Sequence, residues 1–278
     1  MRPVAAAVWI DGRLVDVDEA VVSAFDHGLT VGDGVFETLR VYRGTPFALT
    51  RHLERLERSA AGLGLQAPPR SVVLDAAAAV VAASGLTDAR LRITVTGGMA
   101  PLGSGRGGAG PTLVVAASGL DAYPLTTDVA VVPWPRNERG ALSGLKTTSY
   151  GENVVALAAA AAAGASEAIF GNTVGDLCQG TGSNIVLGIR GRLVTPTLAS
   201  GCLAGVTRAL VVERCDVEEA ALPLAALREA DEAFLTSTTR EVQAIAHVDS
   251  YPLPAAPGPL TAAASAVFTA LVGEDLDP

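Results

Sequence analysis

The chain has 278 residues, long for one compact domain and suited to two modest ones. It is 49% hydrophobic and only 18% charged, with a net charge of −9, which excludes general disorder and, without a basic stripe, argues against a nucleic-acid partner. Cys178, Cys202 and Cys215 fit neither a disulfide framework nor zinc-ligand spacing, and read as small buried hydrophobes of a reduced compartment. The opening apolar run is too short for a signal peptide and is closed by Asp11. The longest apolar stretch, residues 154–163, is nearly all alanine and about half a bilayer span. These features describe a cytoplasmic protein with no membrane association.

In chain order, residues 4–10 read as an apolar strand, closed by an Asp11-Gly12 turn, with residues 14–17 returning as a hairpin. Residues 35–42 (VFETLRVY) alternate like a strand and turn at Arg43-Gly44 into residues 46–49. Thr50 is placed to cap a helix that carries Leu53, Leu56, Ala60 and Leu63 on one face and ends near Gly62 or Gly64. A second helix runs from Ser71 to a stop at Gly85, and strands follow at 91–96 and 112–117. Between those strands, residues 97–110 (GGMAPLGSGRGGAG) are half glycine. GSGRGG within them superficially resembles a dinucleotide loop, but Pro111 and a strand follow where that motif needs a helix, so a flexible loop is expected.

The pattern restarts after about residue 120 with a strand at 129–132, and the Ala-rich helix 153–163 ends at Gly164. Strands at 167–170, 184–189 and 193–195 come next, the last two joined by Arg190-Gly191. Helices at 206–214 and around 224–230, strands at 233–236 and 242–248, and a helix after Leu260 complete the chain. Strands mixed with single helices and tight hairpins indicate an α+β architecture in two domains, 1–120 and 121–278, with no internal repeat.

One compositional feature points to chemistry: there are 19 arginines and a single lysine, Lys146. Such a bias suggests drift from Lys to Arg, as in a genome that favours GC-rich codons. Arginine cannot substitute where a nucleophilic amine is required, because a guanidinium stays protonated and forms no imine. Lys146 is therefore a candidate for catalysis, against the alternative of an ordinary surface lysine. In residues 201–213 (GCLAGVTRALVVE), Gly205 permits close backbone approach and the helix beginning at Val206 offers free N–H groups, with Thr207 adding a hydroxyl. That is an anion site of the kind a cofactor phosphate uses, or an ordinary helix start. Four consecutive hydroxyls, Thr236 to Thr239, end a strand and offer either a second phosphate contact or a polar edge. Three histidines are too few for a metal site, His27 and His52 read as structural or pocket-lining, and no Ser-His-Asp arrangement can be assembled.

Taken in order, five segments resemble the class IV aminotransferases, fold-type IV enzymes that use pyridoxal phosphate: FDHGLTVGDGVFETLRVYRGTPFALTRHLERLERSA (25–60), LKTTSY (145–150), GTGSNIVL (180–187), ASGCLAGVTR (199–208) and FLTSTTREV (234–242). The resemblance spans nearly the whole chain and implies a small N-terminal α/β domain and a larger C-terminal cofactor-binding domain, like the D-amino-acid aminotransferases. It implies Lys146 as the Schiff-base lysine and proton-transfer base, and Arg51 as a guanidinium fork on the cofactor phosphate. Val206, Thr207 and Thr238 would complete the phosphate cup, Leu203 would pack on the pyridine ring, and Tyr150 would lie near the phenolic oxygen. The resemblance further implies a small-molecule amino substrate and a homodimer with sites at the domain junction.

The chain departs from the family where a glutamate normally precedes GTGSN and keeps the pyridine nitrogen protonated: here that residue is Gln179. An amide supplies no charge to a pyridinium, so the cofactor becomes a weaker electron sink. Asp176, three residues earlier, is the carboxylate that would compensate if it pointed inward. Within the family, Thr96-Gly97-Gly98 lacks the arginine of the D-amino-acid branch, and the tyrosine four residues after Lys146 is similar to the spacing of aminodeoxychorismate lyases. The expected reaction is release of pyruvate from 4-amino-4-deoxychorismate to give 4-aminobenzoate, a folate precursor. The alternatives are a transaminase of branched-chain or D-amino acids or (R)-amines, and a weakly catalytic cofactor-binding homologue. Phe36, Arg40, Arg92 and Arg106 are candidates for substrate contact.

Overall fold

The computed structural model describes residues 6–278, so Val4 and Ala5 of the expected first strand lie outside the described residues. The chain divides into two units. The first runs to Asp121 and includes Leu145–Tyr150 and Asp275–Pro278; the second comprises Ala122–Gly144 and Gly151–Glu274.

The first unit contains β1 (Ala6–Ile10), β2 (Arg13–Val15), a single helical turn α1 (His27–Thr30), β3 (Gly34–Tyr42), β4 (Thr45–Pro46), α2 (Leu49–Leu63), α3 (Arg70–Ser84), β5 (Asp88–Thr96) and β6 (Thr112–Ser118). Its sheet has the order β2-β1-β6-β5-β3-β4, antiparallel throughout. Strand periodicity explains the core: Val35, Leu39 and Val41 of β3 and Leu91, Ile93 and Val95 of β5 share one cluster with Leu53, Leu56 and Ala60 of α2 and with Val73, Ala77 and Val80 of α3. The helix expected after residue 50 forms, but Thr50 does not cap it. Ala48, in the left-handed region with φ 51°, occupies the cap, and Thr50 lies inside the first turn with its amide and hydroxyl on the Asp277 carboxylate at 2.9 and 2.6 Å.

The second unit contains β7 (Thr126–Val131), α4 (Gly151–Ala162), β8 (Glu167–Gly171), β9 (Leu177–Gly180), β10 (Asn184–Ile189), β11 (Arg192–Pro196), α5 (Val206–Arg214), β12 (Val217–Ala220), α6 (Ala226–Glu229), β13 (Glu232–Ser237), β14 (Glu241–Val248), β15 (Tyr251–Pro252) and α7 (Pro259–Glu274). The sheet order is β12-β11-β10-β13-β14-β7-β8-β9, with β15 on β14. Pairs β11–β12, β14–β7 and β7–β8 are parallel and the rest antiparallel. Both faces are covered: Val129, Ile169 and Ile245 belong to one cluster, while Ala130, Ala168 and Phe170 belong to another with Ala156 and Ala160 of α4. A strand buried on both faces has no polar phase, which is why β8 is apolar almost throughout. Arg190 and Gly191, with φ 51° and 76°, make the hairpin between β10 and β11. Among the described residues no helix is long and apolar enough to cross a membrane. Cys178 and Cys202 are buried free thiols and Cys215 is half-buried; burial pushes the Cys178 thiol up to about 12.

Candidate active site

Lys146 lies in a short segment stitched to the start of β3. The Phe36 amide donates to the Lys146 carbonyl at 3.0 Å, the Thr148 amide donates to the Gly34 carbonyl at 2.8 Å, and Val35 and Thr147 form an antiparallel bridge. On the helix side, the Lys146 amide donates to the Ser59 hydroxyl of α2 at 3.1 Å. With its backbone held from two directions, the lysine side chain departs from a fixed point. Its Nζ stands 4.4 Å from the centre of the Phe36 ring and 3.4 Å from the Tyr150 hydroxyl. The Phe36 and Tyr150 rings meet edge to face with centroids 5.1 Å apart, and the Arg92 guanidinium lies 3.7 Å from the Phe36 centroid.

These surroundings disfavour the ammonium form. Burial of the amine, followed by the charge of Arg55 and more weakly that of Arg92, lowers the Lys146 pKa to about 7 against the opposing pull of Glu37. The residue as a whole keeps some accessible surface, and it is the amine that is shielded. A neutral primary amine is the form that attacks a carbonyl and accepts a proton.

On the core side of β3 stands a charged group that sequence pattern alone did not single out. Glu37 is fully buried; its Oε1 accepts from Arg55 Nε at 2.7 Å, and its Oε2 accepts from Arg55 Nη2 and from His52 Nδ1, both at 2.7 Å. Burial would push the Glu37 carboxyl up, yet the Arg55 charge and hydrogen bonds, aided by His52, hold it well below the usual carboxylate range. Burial, only partly offset by Glu37, pushes His52 down, so its ring is neutral and Nδ1 carries the proton that Glu37 accepts. The available signal was an acid in the core-facing phase of VFETLRVY, between Val35 and Leu39, with His52 and Arg55 three apart on the helix that faces it.

The other first-unit candidates have separate partners. Arg51, in the first turn of α2, donates from Nε to the Pro278 carbonyl at 2.7 Å. Arg40 donates from Nε and Nη2 to the Asp88 carboxylate at 3.1 and 2.9 Å. Arg106 grips Asp33 at 2.7 and 2.6 Å and also donates to the Leu63 and Gly64 carbonyls. His27 bridges the same Asp33 to the Gly103 carbonyl, at 2.9 Å each. Arg106 and His27 thus fasten the glycine-rich loop, and of the four substrate candidates the structure brings Phe36 and Arg92 to Lys146.

In the second unit, Gln179 lies on β9 opposite Phe170 of β8, half-buried. Its Oε1 accepts the Leu203 amide at 2.6 Å, while Asn184 Nδ2 donates to the Leu203 carbonyl at 2.8 Å. This peptide segment leads to Gly205, which starts α5 with no side-chain cap. A Cβ on Gly205 would stand 2.0 Å from Asn184 Oδ1, so any larger residue there must displace the Asn184 side chain. Val206 and Thr207 are buried in the first turn, where unpaired N–H groups and the helix dipole favour an anion. Thr238 lies in the turn between β13 and β14, and nearby in sequence the Thr236 hydroxyl is buried without a hydrogen-bond partner.

Residues 34–248 match the family model "Amino-transferase class IV". The chain belongs to the class IV aminotransferase family. The aminodeoxychorismate lyase of Bacillus subtilis is 31% identical over 247 residues, covering 84% of each chain. Among solved structures, the branched-chain aminotransferase of Thermoproteus uzoniensis with norvaline superimposes with a TM-score of 0.89 at 32% identity, covering 96% of this chain and 94% of that one. A T.th. branched-chain amino acid aminotransferase, complexed with N-(5'-phosphopyridoxyl)-L-glutamate, gives a TM-score of 0.90 at 26% identity, covering 98% and 95%. This class IV aminotransferase is a pyridoxal-phosphate-dependent enzyme of α+β, fold-type IV architecture.

The residues present fit that cofactor. Its aldehyde calls for an amine that is neutral near pH 7, and Lys146 is one. Its phosphate calls for hydrogen-bond donors, and α5 begins without a side-chain cap, beside a glycine at which a Cβ would crowd the Asn184 side chain. The buried Thr236 hydroxyl is a further polar atom lacking a partner.

Proposed function

We propose that this enzyme releases pyruvate from 4-amino-4-deoxychorismate to form 4-aminobenzoate. Lys146 binds the cofactor and moves the proton; Arg51, Val206, Thr207 and Thr238 hold the phosphate; Tyr150 attends the phenolic oxygen, Leu203 packs on the ring, and Gln179 faces the ring nitrogen. Bound pyridoxal phosphate supplies an aldehyde that condenses with amines and a conjugated ring that draws electron density from the adjacent carbon. The neutral amine of Lys146 takes the proton from the carbon bearing the substrate nitrogen. The ether bond then breaks, enolpyruvate leaves and gains a proton at its methylene carbon to become pyruvate, and the remaining ring is aromatic. Arg92, held across the Phe36 ring from its own strand, is the cation proposed to meet a substrate carboxylate.

The observation that carries this reading is Gln179. Its amide brings no negative charge to the ring nitrogen, and a reaction driven by aromatisation tolerates the weaker electron draw better than transamination does. Similarity to the Thermoproteus uzoniensis enzyme favours a second reading, a branched-chain transaminase. Purified protein supplied with pyridoxal phosphate and 4-amino-4-deoxychorismate is expected to release pyruvate and 4-aminobenzoate in equal amounts, and the Lys146→Ala variant to release neither. No pyruvate, together with efficient amino transfer from leucine, D-alanine or an (R)-amine to a 2-oxo acid, would sink the lyase reading.

We also propose a homodimer. Val21, Phe25, Leu29, Met99 and Leu102 are exposed apolar side chains, and the Asp26–Met99 bridge holds their two segments side by side. Sedimentation equilibrium at the mass of two chains is expected; a monomer at micromolar concentration would exclude the dimer.

A further inference from the structure

We infer that Gln179 meets the ring nitrogen of the cofactor as a hydrogen-bond donor, so that the pyridine is held unprotonated in this enzyme. The inference rests on the proposed reading in which Gln179 faces that nitrogen. It concerns the direction of the hydrogen bond, which residue identity alone leaves open, because an amide can either donate or accept.

The Leu203 amide decides between the two. The Leu203 N–H is a donor, the only acceptor on a glutamine side chain is its oxygen, and the two groups lie 2.6 Å apart, so the atom there is Oε1 by chemistry rather than by choice of amide orientation. The Leu203 peptide segment cannot easily turn away, because its carbonyl is gripped by Asn184 Nδ2 at 2.8 Å. Asn184 is in turn confined by Gly205, against which its Oδ1 is tightly packed. With Oε1 committed, the outer end of the amide is the NH2 group, which is a donor only. A donor pairs with a neutral pyridine nitrogen and opposes its protonation.

A glutamate in the same pose would give the reverse. One carboxylate oxygen would keep the Leu203 amide, and the other would accept from a pyridinium N–H. Replacing a single oxygen by NH2 therefore inverts the polarity of the contact while leaving the loop in place. The buried Glu167 of β8 does not take over, because it is already bound by the Thr181 amide and hydroxyl, the Ser183 hydroxyl and its own strand's Ala168 amide.

The test loads the apoenzyme with pyridoxal phosphate labelled with 15N in the ring. Borohydride reduction followed by peptide mass spectrometry first establishes attachment at Lys146. The 15N resonance of the unreduced holoenzyme is then recorded from pH 6 to 9. The expected result is a resonance in the neutral-pyridine region across that range, moving to the pyridinium region in Gln179→Glu. A wild-type holoenzyme with the label on Lys146 and a pyridinium resonance would overturn the inference and leave the site assignment standing. Absence of cofactor on Lys146 would overturn both. If the variant fails to fold, the wild-type spectrum alone decides the protonation state.

Discussion

The Lys146 amine should be about three orders of magnitude more available for nucleophilic attack at neutral pH than an ordinary lysine. With its pKa lowered to about 7, half of the amine is neutral at pH 7, against about one part in 3,000 for a lysine at 10.5. Because the chain has one lysine, modification by 1-fluoro-2,4-dinitrobenzene, which attacks only the neutral amine and does not itself titrate, read by mass spectrometry of a peptide spanning 145–150, reports this amine alone. In the apoenzyme the rate is expected to rise about tenfold per pH unit up to pH 7 and to level off above pH 8. Arg92→Met removes a cation that lowers the value and should move the inflection up; removing the Glu37 charge should move it down. Stability carries the same signature. Below pH 7 the native amine is protonated at full burial penalty. Between about 7 and 10.5 the unfolded chain holds a proton that the native chain has released, so stability rises with pH across that window. A modification rate that keeps climbing log-linearly to pH 10 would show an unperturbed amine and refute the electrostatic account of this site.

Glu37→Gln should cost about 3–5 kcal/mol in urea denaturation, because it leaves the buried Arg55 guanidinium without its counter-charge; a change under about 1 kcal/mol would mean water reaches the pair. Gly205→Ala forces Asn184 off the Leu203 carbonyl, a loss of about 1–3 kcal/mol, and cofactor affinity measured by fluorescence quenching should fall about tenfold or more. Asp33→Asn weakens both the Arg106 and the His27 attachments of the glycine-rich loop, so limited proteolysis within residues 97–110 should accelerate while the thermal midpoint changes little.

Much of this fold was legible because its strands and helices obey their own periods. β10 and α5 fall on the residues that alternation and the helix pattern indicate, and Gly85 and the Arg190-Gly191 pair end elements where positive φ is required. The short strands β9, β12 and β15 were not legible. Four residues of LCQG or VEEA carry too little pattern, and only pairing with a neighbour makes them strands. Thr50 shows a different limit. Its hydroxyl suits a helix cap, but Asp277, 227 residues away, captures it, and no local rule anticipates that. The same holds for the site: Lys146 announces itself by composition, whereas Glu37 and Arg55 become a pair only when β3 and α2 pack together.

The arginine bias that exposed Lys146 also bears on why its amine is neutral. Burial depresses it most, the cations that add to burial are Arg55 and Arg92, and a guanidinium keeps its charge when buried. A lysine at position 55 would face the same desolvation as Lys146 and could itself shed a proton, which would remove the repulsion it is needed to exert. It would also lose the two-pronged grip on Glu37, whose oxygens match a planar fork and not a single ammonium. Arginine therefore suits the supporting positions because it does not titrate, and lysine suits position 146 because it does. Arg55→Lys should raise the Lys146 inflection part of the way toward that of an ordinary amine even where the fold survives, since a supporting cation that can be neutralised adds less to the depression that burial of the amine begins.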